Sequence, residues 1–236
     1  KKYSNFLNNE KPDFSIILGD RSEAFAFGIA CYSLNVPIGH IHGGEITEGS
    51  LDDGFRHSLT KLSNLHFVTN NIYKKRVIQL GENPKVVHNV GSLAEENIFN
   101  YNYLTKSETQ NKLKMNFGEK NLIVSFHSET NNLNYTIKNF KELLKAIDYF
   151  KKIQFIFTCP NNDPGGLEIL KIMKNFIKNK KNCFFYKSLG QELFFSCIKY
   201  SNGIIGNSSS GILEIPYLKK ATINIGIRQK GRLFKK

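Results

Sequence analysis

Short apolar runs rich in Val, Ile and Phe alternate along the chain with longer stretches whose apolar positions recur at helical spacing, a rhythm that predicts βα units feeding parallel sheet. Strands are expected at 14–18, 37–41, 65–69, 86–88, 122–126, 154–158, 183–186, 203–206 and 222–225, and helices at 22–34, 53–63, 71–79, 135–150, 166–179, 190–197 and 209–218. The stretch 100–120, polar and rich in Asn, Lys, Thr and Ser, breaks this rhythm. It is taken as the boundary: residues 1–100 form a first parallel α/β unit, 101–120 a linker, and 121–236 a second unit. Ligands of such sheets bind beyond the carboxyl ends of the strands, so the strand-end loops are where chemistry is expected.

The composition supports a folded domain pair. Of 236 residues 40% are hydrophobic, and 19 Phe with 10 Tyr supply core material, which excludes a disordered chain and a disulfide miniprotein. The balance of 33 Lys and Arg against 20 Asp and Glu gives +13, which favours an anionic or phosphorylated partner. The lysines are scattered among asparagines over the whole length instead of forming one basic face, so a nucleic-acid partner is not expected. Cys31, Cys159, Cys183 and Cys197 stand alone without CxxC or metal-ligand spacing, and reduced thiols are the reading. No apolar run reaches membrane-spanning length and the N-terminus has no apolar targeting segment, so no membrane is expected and the location is read as cytoplasmic. A chain that opens without Met and enters a strand near residue 13 reads as a fragment or a shortened gene product.

Four strand-end loops carry candidate chemistry. In Gly19-Asp20-Arg21 an apolar strand ends in a tight turn that leaves Asp20 at the rim and Arg21 beside a helix start, a natural place for an anion. The plainer alternative has Asp20 capping the helix and Arg21 pairing with Glu23 on the surface. In His40-Ile41-His42-Gly43-Gly44-Glu45, followed by Asp52-Asp53-Gly54-Phe55-Arg56-His57, titratable groups of both signs crowd around a Gly-Gly turn, as general acid/base chemistry requires. An ordinary capped helix with an Asp53–Arg56 ion pair is one rival; a metal held by His40, His42, Glu45 and His57 is another, without a recognised ligand motif. In Phe126-His127-Ser128-Glu129 the histidine can contact a phosphate, move a proton, or serve only as a hydrogen-bonded loop residue. In Gly206-Asn207-Ser208-Ser209-Ser210-Gly211 through Glu214, hydroxyls and backbone amides precede an expected helix and suit a diphosphate, with Glu214 one turn in and able to accept from ribose hydroxyls; a simple capped turn is the alternative.

Taken in order, and with Arg228-Gln229-Lys230-Gly231-Arg232 added, these motifs resemble the hydrolysing UDP-N-acetylglucosamine 2-epimerases of the sialic and legionaminic acid type, over about residues 12–233. The resemblance implies two Rossmann-like domains of glycosyltransferase B type with the first incomplete, lacking the family's opening strand and its closing helix. It implies a nucleotide-sugar substrate, a homodimer or tetramer, and no metal or other cofactor. Elimination of the nucleoside diphosphate across C1 and C2 would give a 2-acetamidoglucal, and water would then add to release the 2-epimeric free sugar. By the same resemblance Asp20, Asp52 and either Glu45 or His42 form the acid/base set, His42 standing where several members carry Glu. Arg56 and His57 orient those carboxylates or bind sugar. Arg21, His127, Ser208 and Ser209 hold the diphosphate with Ser210 and Gly211, Glu214 the ribose, and Arg228 assists. The alternatives are a nucleotide-sugar glycosyltransferase, which would need an acceptor, and a shortened paralogue that binds a nucleotide sugar without turnover.

Overall fold

The computed structural model describes residues 1–48, 52–129, 133–161 and 163–233. The chain divides into two compact units, Lys1–Leu93 and Ala94–Lys236.

The first unit runs α1 (Lys2–Glu10), β1 (Ser15–Leu18), α2 (Ser22–Ser33), β2 (Ile38–Ile41), α3 (Asp52–Leu62), β3 (Leu65–Val68), α4 (Asn71–Gln79), a 3-10 turn (Pro84–Val86) and β4 (Val87–Asn89). Its four strands are parallel and lie in sequence order β1-β2-β3-β4. Alternation along the strands and the cross-strand register put Ile17, His40, His66 and Val87 in one row on the buried face. There Ile17 and Ile38 pack with Cys31 and Leu59 from α2 and α3, and Val68 and Val87 with Tyr73 and Val77 from α4. The opposite face carries Ile16 and Leu18, both more than half exposed.

The second unit opens with α5 (Leu93–Phe99) and α6 (Lys106–Leu113). It continues with β5 (Lys120–Ser125), α7 (Leu133–Tyr149), β6 (Ile153–Thr158), α8 (Gly166–Ile177), β7 (Cys183–Tyr186), α9 (Gly190–Tyr200), β8 (Gly203–Gly206), α10 (Ser210–Leu213), a 3-10 turn (Ile215–Leu218) and β9 (Ala221–Asn224). All five strands are parallel, in the order β7-β6-β5-β8-β9. Strand alternation feeds two cores, one on each face. Val124, Phe155 and Phe157 meet Phe140 and Leu143 of α7 and Ile169 and Met173 of α8, while Ile123, Ile156 and Ile204 meet Leu113 of α6 and Cys197 and Ile198 of α9. Winding starts from β5 toward β6 on one side and from β8 toward β9 on the other, so the strand order reverses between β5 and β8. The loops after these two strands therefore flank the crevice that doubly wound sheets use for ligands.

All nine expected strands form within two residues of their anticipated ends. Three short helices were not expected. α1 and α5 are single short amphipathic segments, and α6 lies inside the stretch read as a linker. A capping box fixes α6: the Thr105 hydroxyl accepts from the Glu108 amide and the Glu108 carboxylate accepts from the Thr105 amide. Buried Leu113 then anchors α6 on the core with α9, so residues 101–120 are part of the second unit and not a tether. The helix expected at 209–218 is a correction as well. It is one α-turn followed by a 3-10 turn, because Pro216 has no N–H to continue the ladder and its ring collides with the carbonyl four residues back.

Candidate active site

In the first unit the loop after β1 and the start of α3 meet through one buried cation. Arg56, only 2% exposed, donates through Nη2 to Asp20 and through Nη1 to Asp53 Oδ1 at 3.0 Å. Asp53 in turn accepts the Thr47 amide on both oxygens at 3.0 Å. Asp20 therefore does not cap α2, whose cap residue is Arg21 with no side-chain bond. Its carboxylate faces a guanidinium from the next helix but one. Arg21 follows the plainer reading, exposed and paired with Glu23 at 3.4 Å.

The Gly-Gly turn is pinned from two sides. Gly44 has φ +78°, and a Cβ there would stand 2.6 Å from the Tyr73 carbonyl, so the turn packs directly on α4. Arg76 of α4 donates to the Gly44 carbonyl. Beside the turn His42 takes a left-handed φ of +68°, unusual for a residue with a Cβ, and its Nδ1 lies 3.0 Å from Oε1 of buried Glu45. Asp52 and His57 are half-buried on α3, and burial pushes the His57 imidazole below its usual range while Asp53 opposes that shift. The metal alternative loses His40, since both of its ring nitrogens are engaged inside the protein, Nε2 with the Gly19 carbonyl at 2.8 Å and Nδ1 with Thr60 Oγ1 at 3.2 Å.

In the second unit a cavity of about 370 Å³ opens at the β5/β8 crevice. His127, Ser208, Ser209, Ser210 and Arg228 line it, as do Lys187 and Phe194 from beyond β7 and in α9. Two expected residues of this unit stand outside this lining. Gly211 packs its Cα side against Thr222 of β9, and Glu214 accepts from Ser210 in a site whose burial pushes its carboxyl up. Because α10 is a single turn, the helix dipole expected at the serine loop contributes little. Polarity here comes instead from side chains. His127 accepts the Asn161 amide on Nδ1 at 3.1 Å, so the hydrogen-bond network puts the proton of the neutral ring on Nε2. Burial, reinforced by Arg228, lowers its pKa to about 4. At neutral pH the protonated Nε2 of its uncharged ring lies 3.4 Å from Ser125 Oγ in the cavity wall, and Arg228 and Lys187 supply the positive charge.

Sequence reasoning missed the residue that holds this crevice together. Asn207, fully buried, accepts the His127 amide on Oδ1 at 2.7 Å and donates from Nδ2 to the His127 carbonyl at 2.8 Å. Its own carbonyl accepts from Arg228 Nη1 at 3.1 Å and Gln229 Nε2 at 2.9 Å. One asparagine therefore ties the loops after β5, β8 and β9. The preceding Gly206 makes this possible, for a Cβ at its φ of +144° would fall 1.9 Å from the Ser125 carbonyl. The Asn in the Gly-Asn-Ser motif was a signal that this position needed a two-sided hydrogen-bonding side chain.

The histidines set an acid limit on stability. His40 and His127 both have folded pKa values of about 4 against an ordinary 6.5, so the unfolded chain binds protons first as pH falls. Their contribution is complete above about pH 6.5 and is lost between there and pH 4, about 3 kcal/mol for each. Urea midpoints measured from pH 7.5 to 4.5 are expected to fall over that window, and more shallowly in His127→Gln; an equal slope in the variant would refute the assignment.

Residues 1–236 match the family described as UDP-N-acetylglucosamine 2-epimerase. A protein of Campylobacter jejuni named GDP/UDP-N,N'-diacetylbacillosamine 2-epimerase (hydrolyzing) is 43% identical over 98% of this chain and 60% of its own length. The Escherichia coli polysialic acid biosynthesis protein P7 is 44% identical over 98% of the chain and 59% of its own. The chain thus spans about three fifths of the length of these relatives. Among solved structures, Staphylococcus aureus MnaA with UDP superposes with a TM-score of 0.80 at 20% identity, covering 96% of this chain and 62% of that one. UDP-GlcNAc 2-epimerase from Neisseria meningitidis bound to UDP-GlcNAc gives 0.79 at 18%, covering 94% and 61%. The fold is that of these glycosyltransferase-B-like α/β proteins, and by the match along its whole length this chain belongs to the UDP-N-acetylglucosamine 2-epimerase family.

Proposed function

We propose that the protein is a hydrolysing 2-epimerase of a nucleotide-linked 2-acetamido sugar, supplying N-acetylmannosamine or a 2-epimeric diacetamido analogue for sialic or legionaminic acid synthesis. The observation that carries this reading is the division of labour between the units: a carboxylate cluster ordered by one buried arginine in the first, and a cation-lined cavity at the strand reversal of the second. The second unit suits a nucleoside diphosphate, held by the His127 N–H, the Ser208–Ser209 loop and the charges of Arg228 and Lys187. Asp20, Asp52 and the His42–Glu45 pair serve as acid and base, Arg56 and His57 set their orientation, and Arg21 and Glu214 remain candidates for phosphate and ribose. One of these bases takes the C2 proton as the C1–O bond breaks, the electron pair leaving with the diphosphate oxygen. Water then delivers hydroxyl to C1 and a proton to C2 from the opposite face. The identities of relatives, named for diacetylbacillosamine 2-epimerisation and polysialic acid biosynthesis, agree with this substrate class. We also propose a homo-oligomer as the working state.

The test incubates the full-length enzyme with UDP-N-acetylglucosamine and with UDP- and GDP-linked diacetamido sugars in deuterated water, followed by proton NMR. Release of nucleoside diphosphate with deuterium at C2 of a free 2-epimeric sugar is expected from one donor. Diphosphate release only when an acceptor is added would mean a glycosyltransferase, and binding without turnover a non-catalytic module.

A further inference from the structure

His40 is fully buried in the middle of the first sheet, in one row with Ile17, His66 and Val87, a place that apolar side chains ordinarily fill. Its two ring nitrogens tie β2 to the β1 loop and to α3. The Gly19 carbonyl can only accept, so the bond of 2.8 Å from Nε2 puts the ring proton on that nitrogen. Nδ1 is then an acceptor, and the hydroxyl of Thr60, 3.2 Å away, donates to it. That hydroxyl also lies 3.1 Å from the Arg56 carbonyl one turn earlier on α3, so its one proton is shared between that carbonyl and Nδ1. Arg56 carries the guanidinium that binds Asp20, and Asp20 is the residue after Gly19. His40 thus joins the β1 loop at Gly19 to α3 at Thr60, and the same loop and helix meet again through Asp20 and the Arg56 guanidinium. Gly43 packs on the His40–Thr60 pair, because a Cβ there would stand 3.2 Å from both His40 Nδ1 and Thr60 Oγ1. Burial keeps the ring neutral, with a pKa lowered to about 4, so it serves as a fixed donor and acceptor across the working range.

From these contacts we infer that His40 is a positioning residue for Asp20: by holding the Gly19 carbonyl it sets where the Asp20 carboxylate stands against Arg56. The inference rests on the reading of Asp20 as an acid/base group. It gives a fully buried histidine a task in turnover that needs no contact with substrate, and it separates His40 from His42, whose ring is paired with Glu45.

The amide variants divide the two ring contacts. In His40→Gln the terminal amide reaches where Nε2 stood and restores a donor to Gly19; in His40→Asn the shorter amide matches Nδ1, keeping a partner for Thr60 and losing the Gly19 bond. In the full-length enzyme His40→Asn is expected to lose about 10- to 100-fold in kcat, the scale of a carboxylate displaced by about 1 Å, with KM and UDP affinity within threefold of wild type. His40→Gln is expected to recover most of that loss. The decisive measurement is the double variant: in an Asp20→Asn background His40→Asn is expected to cost nothing more, since the group it positions is gone. A further 10-fold fall in that background would show that His40 acts elsewhere and overturn the inference, as would wild-type kcat in His40→Asn alone. Full activity of Asp20→Asn would overturn the acid/base reading together with the inference. If His40→Asn does not fold, Thr60→Val breaks the tie to α3 with His40 in place and is expected to show the same fall in kcat and the same non-additivity with Asp20→Asn; additive losses there refute it.

Discussion

Arg56→Met is expected to destabilise the chain by about 2–4 kcal/mol and to abolish turnover, the largest effect of any single substitution in the first unit. Methionine fills most of the space but leaves Asp20 and Asp53 facing each other without the cation between them. Both carboxylates are roughly a fifth exposed, which lets water absorb part of the penalty and holds the figure below that for a fully buried pair. Arg56→Lys keeps the charge and loses the fork, so it can serve one carboxylate at a time. It is expected to fold at near wild-type stability, within about 1–2 kcal/mol, and still lose most of kcat because Asp20 is no longer fixed. Urea unfolding with a turnover assay separates the two outcomes. A methionine variant as stable as wild type would mean that the carboxylates are neutralised by something other than Arg56.

Asn207→Leu is expected to have the largest effect in the second unit. Leucine matches the volume but strips both bonds from the main chain of His127, leaving a buried N–H and a buried carbonyl unpaired at about 1–3 kcal/mol each. The arginine and glutamine that bond the Asn207 carbonyl keep their acceptor, since it belongs to the backbone. The loop after β5 is therefore freed while the loop after β9 stays tied, and UDP affinity measured by calorimetry is expected to fall at least about tenfold, or 1.4 kcal/mol. Asn207→Asp retains the acceptor for the His127 amide and sets an oxygen against its carbonyl, so it is expected to fall between leucine and wild type. Unchanged UDP affinity in the leucine variant would remove Asn207 from any role in the cavity.

These two residues show where sequence reasoning stops. The strands were legible because most are compact apolar runs, and fully covered parallel strands such as β5 and β6 need little else. α6 was not, because Lys106–Leu113 buries only Thr109 and Leu113 and offers no apolar stripe, although Thr105 and Glu108 together spelled its start. The segment after Ser209 has the serine start and apolar spacing of a long helix, but Pro216 ends the α-helical ladder after one turn. Asp53 with Arg56 was legible as a pair at i,i+3, but the same guanidinium reaching Asp20 spans 36 positions, and no local pattern announces such a bond. His40 looked like a candidate ligand beside His42, when a strand register sends it to the core and a carbonyl 21 positions away claims it.

The topology also orders events during synthesis. In the first sheet every strand pairs with the one made just before it, so the carboxylate cluster can form as α3 leaves the ribosome. In the second sheet β5 is the centre and must wait for β8, because the His127–Asn207 clasp joins positions 80 apart and Gln229 completes it. A nascent chain truncated before residue 207 can thus carry an ordered first unit while the cavity of the second has no wall. Premature termination in that interval yields a protein with exposed apolar sheet, the kind of product that quality-control proteases remove.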